Sequence, residues 1–218
     1  MKKPSSHQEV KITQFDVKLI VVGTSWGGLD ALSCLLSPLP KNYPIPILIV
    51  QHRQRNHHGS TYLAEILNQR CQLNIIEPDD KERIKAGNVY ISPSNYHMLV
   101  EDKETLALSS EELVNYSRPS IDLLFESAAE IHQQNLIGII LTGANKDGAK
   151  GLATIKSRGG YGLVQSPETA EVDTMPLAAI SSAQPDAVLP LNEITSLLLQ
   201  IPHQLNSSEH SSKSYKNT

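Results

Sequence analysis

Residues 18–28 read KLIVVGTSWGG, and the architecture of the chain follows from this segment. After Lys18, residues 19–22 form an unbroken run of apolar, mostly β-branched residues, which is typical of a strand buried on both faces. The small residues that follow favour a tight turn, and a helix is predicted over residues 28–36. The segment therefore predicts a strand, a turn and a helix, the opening unit of a parallel α/β sheet.

The same alternation of apolar runs and helical segments recurs along the chain. Further strands are predicted over residues 45–50, 73–77, 136–141 and 162–165, and further helices over residues 60–70, 119–132, 148–158 and 191–199, with Pro119 in a first helical turn. Residues 89–92, 96–100 and 105–108 resemble hairpin strands, an antiparallel excursion. We therefore predict a three-layer, doubly wound α/β fold with a mainly parallel sheet and a β-hairpin excursion.

The domain organisation is predicted from the ends of this pattern. Residues 1–17 carry little periodic apolar pattern, and residues 206–218 are polar and rich in serine, so both are predicted to be tails. Residues 18–205 are predicted to form one domain, because no internal segment resembles a linker.

Composition narrows the function classes. Hydrophobic residues make up 39% of the chain and charged residues 19%, which is typical of a globular protein. The formal net charge of −4 argues against a nucleic-acid binder, which usually carries a basic surplus. We expect no nucleic-acid partner.

The cysteines and the apolar runs indicate the compartment. Cys34 and Cys71 are too few for a disulfide framework, and we expect both to be buried and inert in a reducing environment. No apolar run reaches the length of a membrane span, and none follows the basic N-terminus as in a secretory signal. We expect a soluble, cytoplasmic protein that does not insert into membranes.

Three polar residues follow the carboxyl ends of predicted strands. Ser25 follows the first strand, His52 follows the second, and Asp147 lies in the loop after residues 136–141. Ligands of parallel sheets bind beyond these strand ends, so the three side chains are expected to lie together. A serine needs a neighbouring base, and the base needs a group that orients it, so this set predicts a serine hydrolase.

The residues around Ser25 fit a nucleophile elbow. Gly23 and Gly27 flank it with the Gly-x-Ser-x-Gly spacing, and backbone N–H groups at the start of the next helix are candidates for an oxyanion site. The chain order Ser, His, Asp differs from those of α/β-hydrolases, chymotrypsin and subtilisin. The protein is therefore not expected to be a standard member of those folds.

The residues also suggest three other interpretations. A dinucleotide-binding turn requires a middle glycine where Ser25 stands, and the second strand ends in Gln51 and His52 instead of an acidic residue. A metal site at His52, His57 and His58 is disfavoured, because no carboxylate or thiol lies between them. Asp147 is also a candidate cap for the helix that follows it. We expect no metal.

Several motifs in one order resemble the catalytic domain of the CheB chemotaxis methylesterase family. They are VGTSWGGLDAL at residues 22–32, VQH at 50–52, SRPSIDLLF at 117–125, LTGANKDGAKG at 141–151, QSPETA at 165–170 and MP at 175–176. The resemblance covers roughly residues 18–201. It implies hydrolysis of glutamate γ-methyl esters on chemoreceptor helices, with deamidation of certain glutamines, and it requires no cofactor.

The resemblance also implies roles for individual residues. Ser25 is similar in position to the family's nucleophile, His52 to its general base and Asp147 to the residue that orients the base. Thr24, Trp26 and Ala144 are expected to support the oxyanion, with backbone N–H groups near His52 or Ala144 as donors.

The sequence also departs from the family pattern. Ala144 and Asn145 stand where the chemotaxis form typically has methionine and glycine, and Ser117 and Trp26 replace a histidine and a small residue. Residues 1–17 are too short for the receiver domain of that form. In this respect the chain resembles a single-domain branch of the family, and a separate receiver-type regulator is a candidate partner. These departures keep two alternatives open: a docking module with weak or absent catalysis, and a small-molecule carboxylesterase using the same three residues.

Overall fold

The computed structural model describes residues 16–53 and 62–201 of the 218-residue chain. Strands and helices alternate along the described residues for most of their length. The strands are β1 (Leu19–Thr24), β2 (Ile47–Gln51), β3 (Asn74–Ile76), β4 (Asn88–Ile91), β5 (His97–Val100), β6 (Leu106–Ser109), β7 (Leu136–Ile140), β8 (Tyr161–Gln165) and β9 (Ala187–Leu189). The helices are α1 (Gly28–Leu36), α2 (Tyr62–Arg70), α3 (Ile121–His132), α4 (Ala149–Ser157), α5 (Thr174–Ala183) and α6 (residues 191–201).

Seven of these strands form one sheet with the order β3-β4-β2-β1-β7-β8-β9, and every neighbouring pair is parallel. The strands β2, β4 and β3 lie on one side of β1. The strands β7, β8 and β9, which come later in the chain, lie on its other side. The direction of winding therefore reverses beside β1, which is where ligands bind in doubly wound sheets. β5 and β6 form a separate antiparallel hairpin.

Helices cover both faces of the sheet. One apolar core joins α1, α2 and α6 to the sheet, and the other joins α3, α4, α5 and the hairpin to its opposite face. Along β1, Ile20 and Val22 point into the first core while Leu19 and Val21 point into the second. This burial on both faces accounts for the continuous apolar run, and the predicted three-layer, doubly wound fold is confirmed.

One predicted strand belongs to a different sheet from the one expected. Residues 89–92 were expected in the antiparallel excursion, but β4 pairs in parallel with β2 and β3. Val89 and Ile91 enter one core and Tyr90 the other, so β4 is buried on both faces as an inner parallel strand is. Two segments without a predicted element, α5 and β9, complete the far side of the sheet.

The start of α3 also differs from the prediction. Pro119 was expected in the first helical turn, but Ser120 is the N-cap, so Pro119 precedes the helix. The Ser120 hydroxyl accepts from the Leu123 N–H (3.5 Å), because serine with extended backbone angles is a favoured N-cap. α3 therefore begins directly after this serine.

The prediction that both cysteines are buried was wrong. Cys34 is exposed and Cys71 is half-buried, and both are free thiols. Cys34 lies on the solvent-facing side of α1. Ala31, Leu32 and Leu35 lie on the opposite side of the helix and pack in the core. Cys71 follows the end of α2 and packs only against the edge of the core.

The predicted tails fall almost entirely outside the described residues, which begin at residue 16 and end at 201. At the predicted N-terminal boundary, Val17 is 2% exposed and packs in the core, and the Lys18 N–H donates to the Asn135 carbonyl. The exact domain limits stay a prediction. No helix in the described part of the chain is long and apolar enough to cross a lipid bilayer.

Candidate active site

Ser25 occupies the turn between β1 and α1. Its backbone N–H donates to the Thr142 carbonyl (3.0 Å), and its own carbonyl accepts from the Gly28 N–H (3.1 Å). Gly27 has a φ of +76°, and a Cβ there would lie 2.6 Å from a Glu171 carboxylate oxygen. Glycine at this position permits the sharp strand-to-helix turn that brings Ser25 to the edge of the sheet.

His52 lies directly beyond β2. Its backbone N–H donates to the carbonyl of Thr24, the last residue of β1 (3.0 Å), which continues the pairing of the two strands one residue past the end of β2. The imidazole Nε2 lies 2.8 Å from Asp147 Oδ2, and the two side chains are 10% and 0% exposed. A hydrogen bond between an imidazole and a buried carboxylate fixes the orientation of the ring.

Asp147 lies in the loop after β7 and is held by the N-terminus of α3. Its Oδ2 accepts from the Ile121 N–H (2.7 Å), and its Oδ1 accepts from the Asp122 N–H (3.1 Å) and the Ser120 hydroxyl (3.0 Å). The alternative of a cap for the following helix was wrong, because Gly148 is the N-cap of α4 and the Asp147 carboxylate accepts from N–H groups of α3 instead. Asp147 instead binds the free N–H groups of α3, which favour an anion.

These contacts determine whether the Asp147 carboxyl is ionised. Burial alone would raise the pKa of its carboxyl, but the hydrogen bond and charge of His52, with the N–H groups of Ile121 and Asp122, lower the pKa below its ordinary value of 3.8. The carboxylate is therefore ionised at neutral pH, as a partner for a positively charged imidazole must be.

A second buried carboxylate, Asp122, lies behind the first. Its Oδ1 accepts from the N–H groups of Gly148 (2.9 Å) and Gly151 (2.7 Å). Its Oδ2 accepts from the Asn115 amide, which also lies 3.5 Å from Asp147 Oδ1. Burial raises the pKa of Asp122 to about 6; the Gly151 N–H opposes this shift, and the negative charge of Asp147 adds to it.

Asn145 completes the surroundings of the imidazole. Its Nδ2 lies 3.0 Å from His52 Nδ1, and its Oδ1 accepts from the Asp147 N–H (3.1 Å). Ser25, His52 and Asn145 line an open depression of about 550 Å³, together with Trp26, Arg53 and Ser117. The three predicted residues Ser25, His52 and Asp147 thus come to one edge of the sheet, with Ser25 and His52 facing the depression.

The predicted supporting residues take different positions. Thr24 is buried, and its hydroxyl donates to the Thr142 carbonyl (2.8 Å). Trp26 is 63% exposed, and its indole N–H donates to Glu171 (2.9 Å). Ala144 is exposed in the loop that carries Asp147. The His52 N–H itself is bonded to the Thr24 carbonyl, and the expectation of an oxyanion donor near His52 or Ala144 stays a prediction.

Residues of the α3 N-terminus contribute to the site, although no role was predicted for them. Ser120 and Asp122 bind or neighbour Asp147, and Asn115 bridges the two carboxylates. A serine before an apolar helix with an acidic residue in its first turn is a capping signal that the sequence does contain. Its link to a loop some 25 residues later is a tertiary contact that no local pattern reveals.

Metal ligands do not gather in the described residues. No group of three or more His, Cys, Asp or Glu side chains among them lies close enough to hold an ion. The candidate ligands His57 and His58 lie outside the described residues.

A family model described as CheB methylesterase matches residues 20–198. The chain belongs to the CheB methylesterase family. This membership confirms the resemblance seen in the sequence motifs and places the protein among the ester-hydrolysing enzymes.

Relatives in the CheB methylesterase family come from several bacteria. A putative protein-glutamate methylesterase/protein-glutamine glutaminase of Leptospira interrogans is 47% identical over 182 residues, which are 84% of this chain and 93% of the relative. The protein-glutamate methylesterase/protein-glutamine glutaminase of Thermotoga maritima is 36% identical over 187 residues, 84% of this chain but 54% of the relative. This chain therefore spans about half the length of that second relative.

A solved structure agrees with this membership. The crystal structure of the Thermotoga maritima CheB methylesterase catalytic domain matches with a TM-score of 0.80 and 34% sequence identity. The match covers 85% of this chain and 98% of that domain. The sheet and its flanking helices are thus those of a CheB catalytic domain.

Proposed function

We propose that the protein hydrolyses glutamate γ-methyl esters on chemoreceptor-like proteins, with Ser25 as the nucleophile, His52 as the general base and Asp147 as the residue that orients the base. The observation that carries this proposal is the 2.8 Å hydrogen bond between His52 Nε2 and Asp147 Oδ2 beside Ser25. The family membership supports the ester substrate, since its relatives are named for it.

The first half-reaction forms an acyl-enzyme. The Ser25 hydroxyl oxygen attacks the ester carbonyl while His52 takes its proton. Because Nε2 is bonded to Asp147, Nδ1 is the ring nitrogen that receives this proton. The tetrahedral intermediate then breaks its bond to the methoxy group, which takes the proton from His52 and leaves as methanol.

The second half-reaction restores the serine. His52 removes a proton from water, the resulting hydroxide attacks the acyl carbon, and the bond to the Ser25 oxygen breaks. That oxygen takes the proton back from His52, and the γ-carboxylic acid of glutamate is released and gives its own proton to solvent. A glutamine substrate would follow the same steps with ammonia as the leaving group, in keeping with the glutaminase part of the relatives' names.

Neighbouring groups stabilise the charges on His52, Asp147 and the oxyanion in these steps. When His52 is protonated, the ionised Asp147 at its other nitrogen offsets the positive charge. The N–H groups at the N-terminus of α3 keep that carboxylate ionised although it is buried. We assign the oxyanion to the backbone N–H groups of Trp26 and Ala144, with Thr24 bracing the turn through its bond to Thr142.

The surface around the depression supports a protein substrate. Trp26 lines it and is 63% exposed, while Tyr116 is 97% exposed and directly precedes Ser117 on its rim. Exposed aromatic side chains are enriched where proteins bind partners. A shallow site with aromatic neighbours suits a glutamyl side chain presented by a receptor helix, and a separate receiver-type regulator is part of this proposal.

The experiment measures methanol release from a methylated chemoreceptor, together with labelling by a fluorophosphonate probe. Ser25→Ala is expected to abolish both, because no other residue replaces the nucleophile. Ser182→Ala, which removes an exposed hydroxyl on α5, is the matched control and is expected to retain both.

Other outcomes assign other functions. Full methanol release by Ser25→Ala would overturn the proposal. Turnover of short acyl esters with no release from methylated receptor would indicate a small-molecule carboxylesterase. An unlabelled but folded wild-type protein would indicate a docking module.

A further inference from the structure

The orientation of the Asn145 side chain is fixed by the loop that carries it. The Asp147 backbone N–H can bond only to an acceptor, so the amide oxygen of Asn145 must face it, at 3.1 Å. The amide nitrogen then faces His52 Nδ1 at 3.0 Å. A flipped amide would place its NH2 group against the Asp147 N–H, where neither could accept.

This orientation determines where the proton of His52 resides. The Asn145 NH2 group is a donor, so Nδ1 must accept and carries no proton. The ring proton is therefore on Nε2, where it is donated to Asp147 Oδ2 (2.8 Å). Both ring nitrogens thus have a partner that requires the same tautomer, the one whose Nδ1 lone pair is needed to take a proton from Ser25.

We propose that Asn145 is a positioning residue that holds His52 neutral, in the Nε2–H tautomer, until the Ser25 proton is transferred. This proposal rests on the role of His52 as the general base. A protonated Nδ1 would point its N–H at the Asn145 NH2 group, two donors facing each other. Asn145 must therefore move aside when the imidazolium forms, and it opposes protonation of the resting enzyme by solvent.

The other charged groups that the structure describes near His52 are unchanged by substitution at Asn145. Asp147 contacts the ring, and Asn115 links Asp147 to Asp122. Arg53 follows His52 and pairs with Glu77 (2.9 Å). Further charged side chains come from α1 and from the two loops on the same side, namely Asp30, Lys146 and Glu171.

Two variants distinguish the hydrogen bond that Asn145 donates to His52 from the support that Asn145 gives to its own loop. Asn145→Asp keeps an oxygen for the Asp147 N–H but places a negatively charged acceptor at Nδ1. Asn145→Gly removes both contacts. If Asn145 acted only by supporting the loop, Asn145→Asp would behave like the wild type and Asn145→Gly would be the damaged variant.

The kinetic readout is the acid limb of kcat/KM for ester hydrolysis. For Asn145→Asp we expect its midpoint to move to higher pH by roughly 1 to 2 pH units, because a carboxylate beside the ring favours the imidazolium. Asn145→Gly should move the same limb upward by less, with KM changed less than the rate. An unshifted acid limb in Asn145→Asp would overturn the proposal.

A spectroscopic readout tests the tautomer without any catalysis. In ¹⁵N-labelled enzyme near neutral pH, the imidazole nitrogens of His52, assigned by comparison with His52→Gln, should report a proton on Nε2 and none on Nδ1. In Asn145→Asp, Nδ1 should gain a proton at the same pH. A wild-type ring protonated on Nδ1 overturns the proposal even if neither variant folds.

A different result would contradict the proposed function. If the wild type shows no Ser25-dependent hydrolysis or labelling, the assignment of the enzyme's reaction is wrong. The ¹⁵N spectrum still reports whether Asn145 fixes the tautomer of His52, so the two failures can be told apart.

Discussion

The Ser120 hydroxyl donates to Asp147 Oδ1 across 3.0 Å, which ties the N-cap of α3 to the carboxylate beside His52. Ser120 is itself held, because its backbone N–H donates to His97 Nδ1 (3.1 Å), and the buried His97 ring is fixed by the Glu112 carbonyl (3.0 Å). The position of Asp147 thus depends on a chain of hydrogen bonds that reaches the hairpin β5–β6. Such support is what holds a catalytic group in one geometry.

Ser120→Ala is expected to lower kcat about 10-fold, since one hydrogen bond to the charged Asp147 is lost. It should also lower the free energy of unfolding by about 1 to 2 kcal/mol, because the α3 cap is lost with it. Steady-state kinetics and urea denaturation measure the two effects. Ser127→Ala is the matched control on α3: its hydroxyl binds the Val100 N–H, so stability should fall while kcat stays unchanged. Unchanged kcat in Ser120→Ala would contradict this prediction.

Asp147→Asn is expected to lower kcat by roughly 10²- to 10⁴-fold with a smaller change in KM, because the amide no longer offsets the charge of protonated His52. The measurement is steady-state hydrolysis of the methyl ester at neutral pH. Asp186→Asn is the matched control. Like Asp147, Asp186 accepts from a basic side chain and from a backbone N–H, here those of Lys156 and Gly162, but it lies at the opposite edge of the sheet. Equal losses in the two variants would contradict a special role for Asp147.

Asp122→Asn is expected to stabilise the protein above neutral pH. Because the folded-state pKa of Asp122 is raised from 3.8 to about 6, the contribution of this group is fully present below pH 3.8 and is lost as the pH rises through 6. The asparagine variant avoids that loss, which corresponds to on the order of 2 to 3 kcal/mol. Urea denaturation at pH 5.0 and 7.5 should show a larger advantage of the variant at pH 7.5. An equal difference at both values would argue against a raised pKa.

Trp26→Ala and Tyr116→Ala are each expected to raise KM for a methylated receptor several-fold and leave kcat/KM for a short acyl ester nearly unchanged. The reason is that exposed aromatic side chains contribute to the contact with a partner and not to the chemical step. Val188→Ala on the edge strand β9, which is 40% exposed, is the control and should change neither constant. A parallel loss with both substrates would place Trp26 or Tyr116 in the reaction itself.

The sequence predicted the fold class, and it predicted that Ser25, His52 and Asp147 lie at one edge of the sheet, but it did not predict every strand pairing. Ser25, His52 and Asp147 could be grouped because apolar runs mark parallel strands, and such strands share one edge at their carboxyl ends. β4 was assigned to the wrong sheet, because an apolar run of three residues does not specify its partner strand. The roles of Asn145 and Ser120 depend on loops that meet only after folding, so no spacing along the chain could reveal them.

The hydrogen bonds from the Ser25 N–H to Thr142 and from the His52 N–H to Thr24 carry the sheet pairing into the site itself. Ser25 and His52 come from neighbouring strands early in the chain, whereas the segment that brings Asp147 is made more than 80 residues later. One edge of β1 stays unpaired until β7 packs beside it. Pairing between strands that are far apart in the sequence is slow. The return of esterase activity during refolding should therefore follow the docking of β7 and lag behind the formation of helices. In a nascent chain, the proposed nucleophile and base are synthesised long before the carboxylate that orients them.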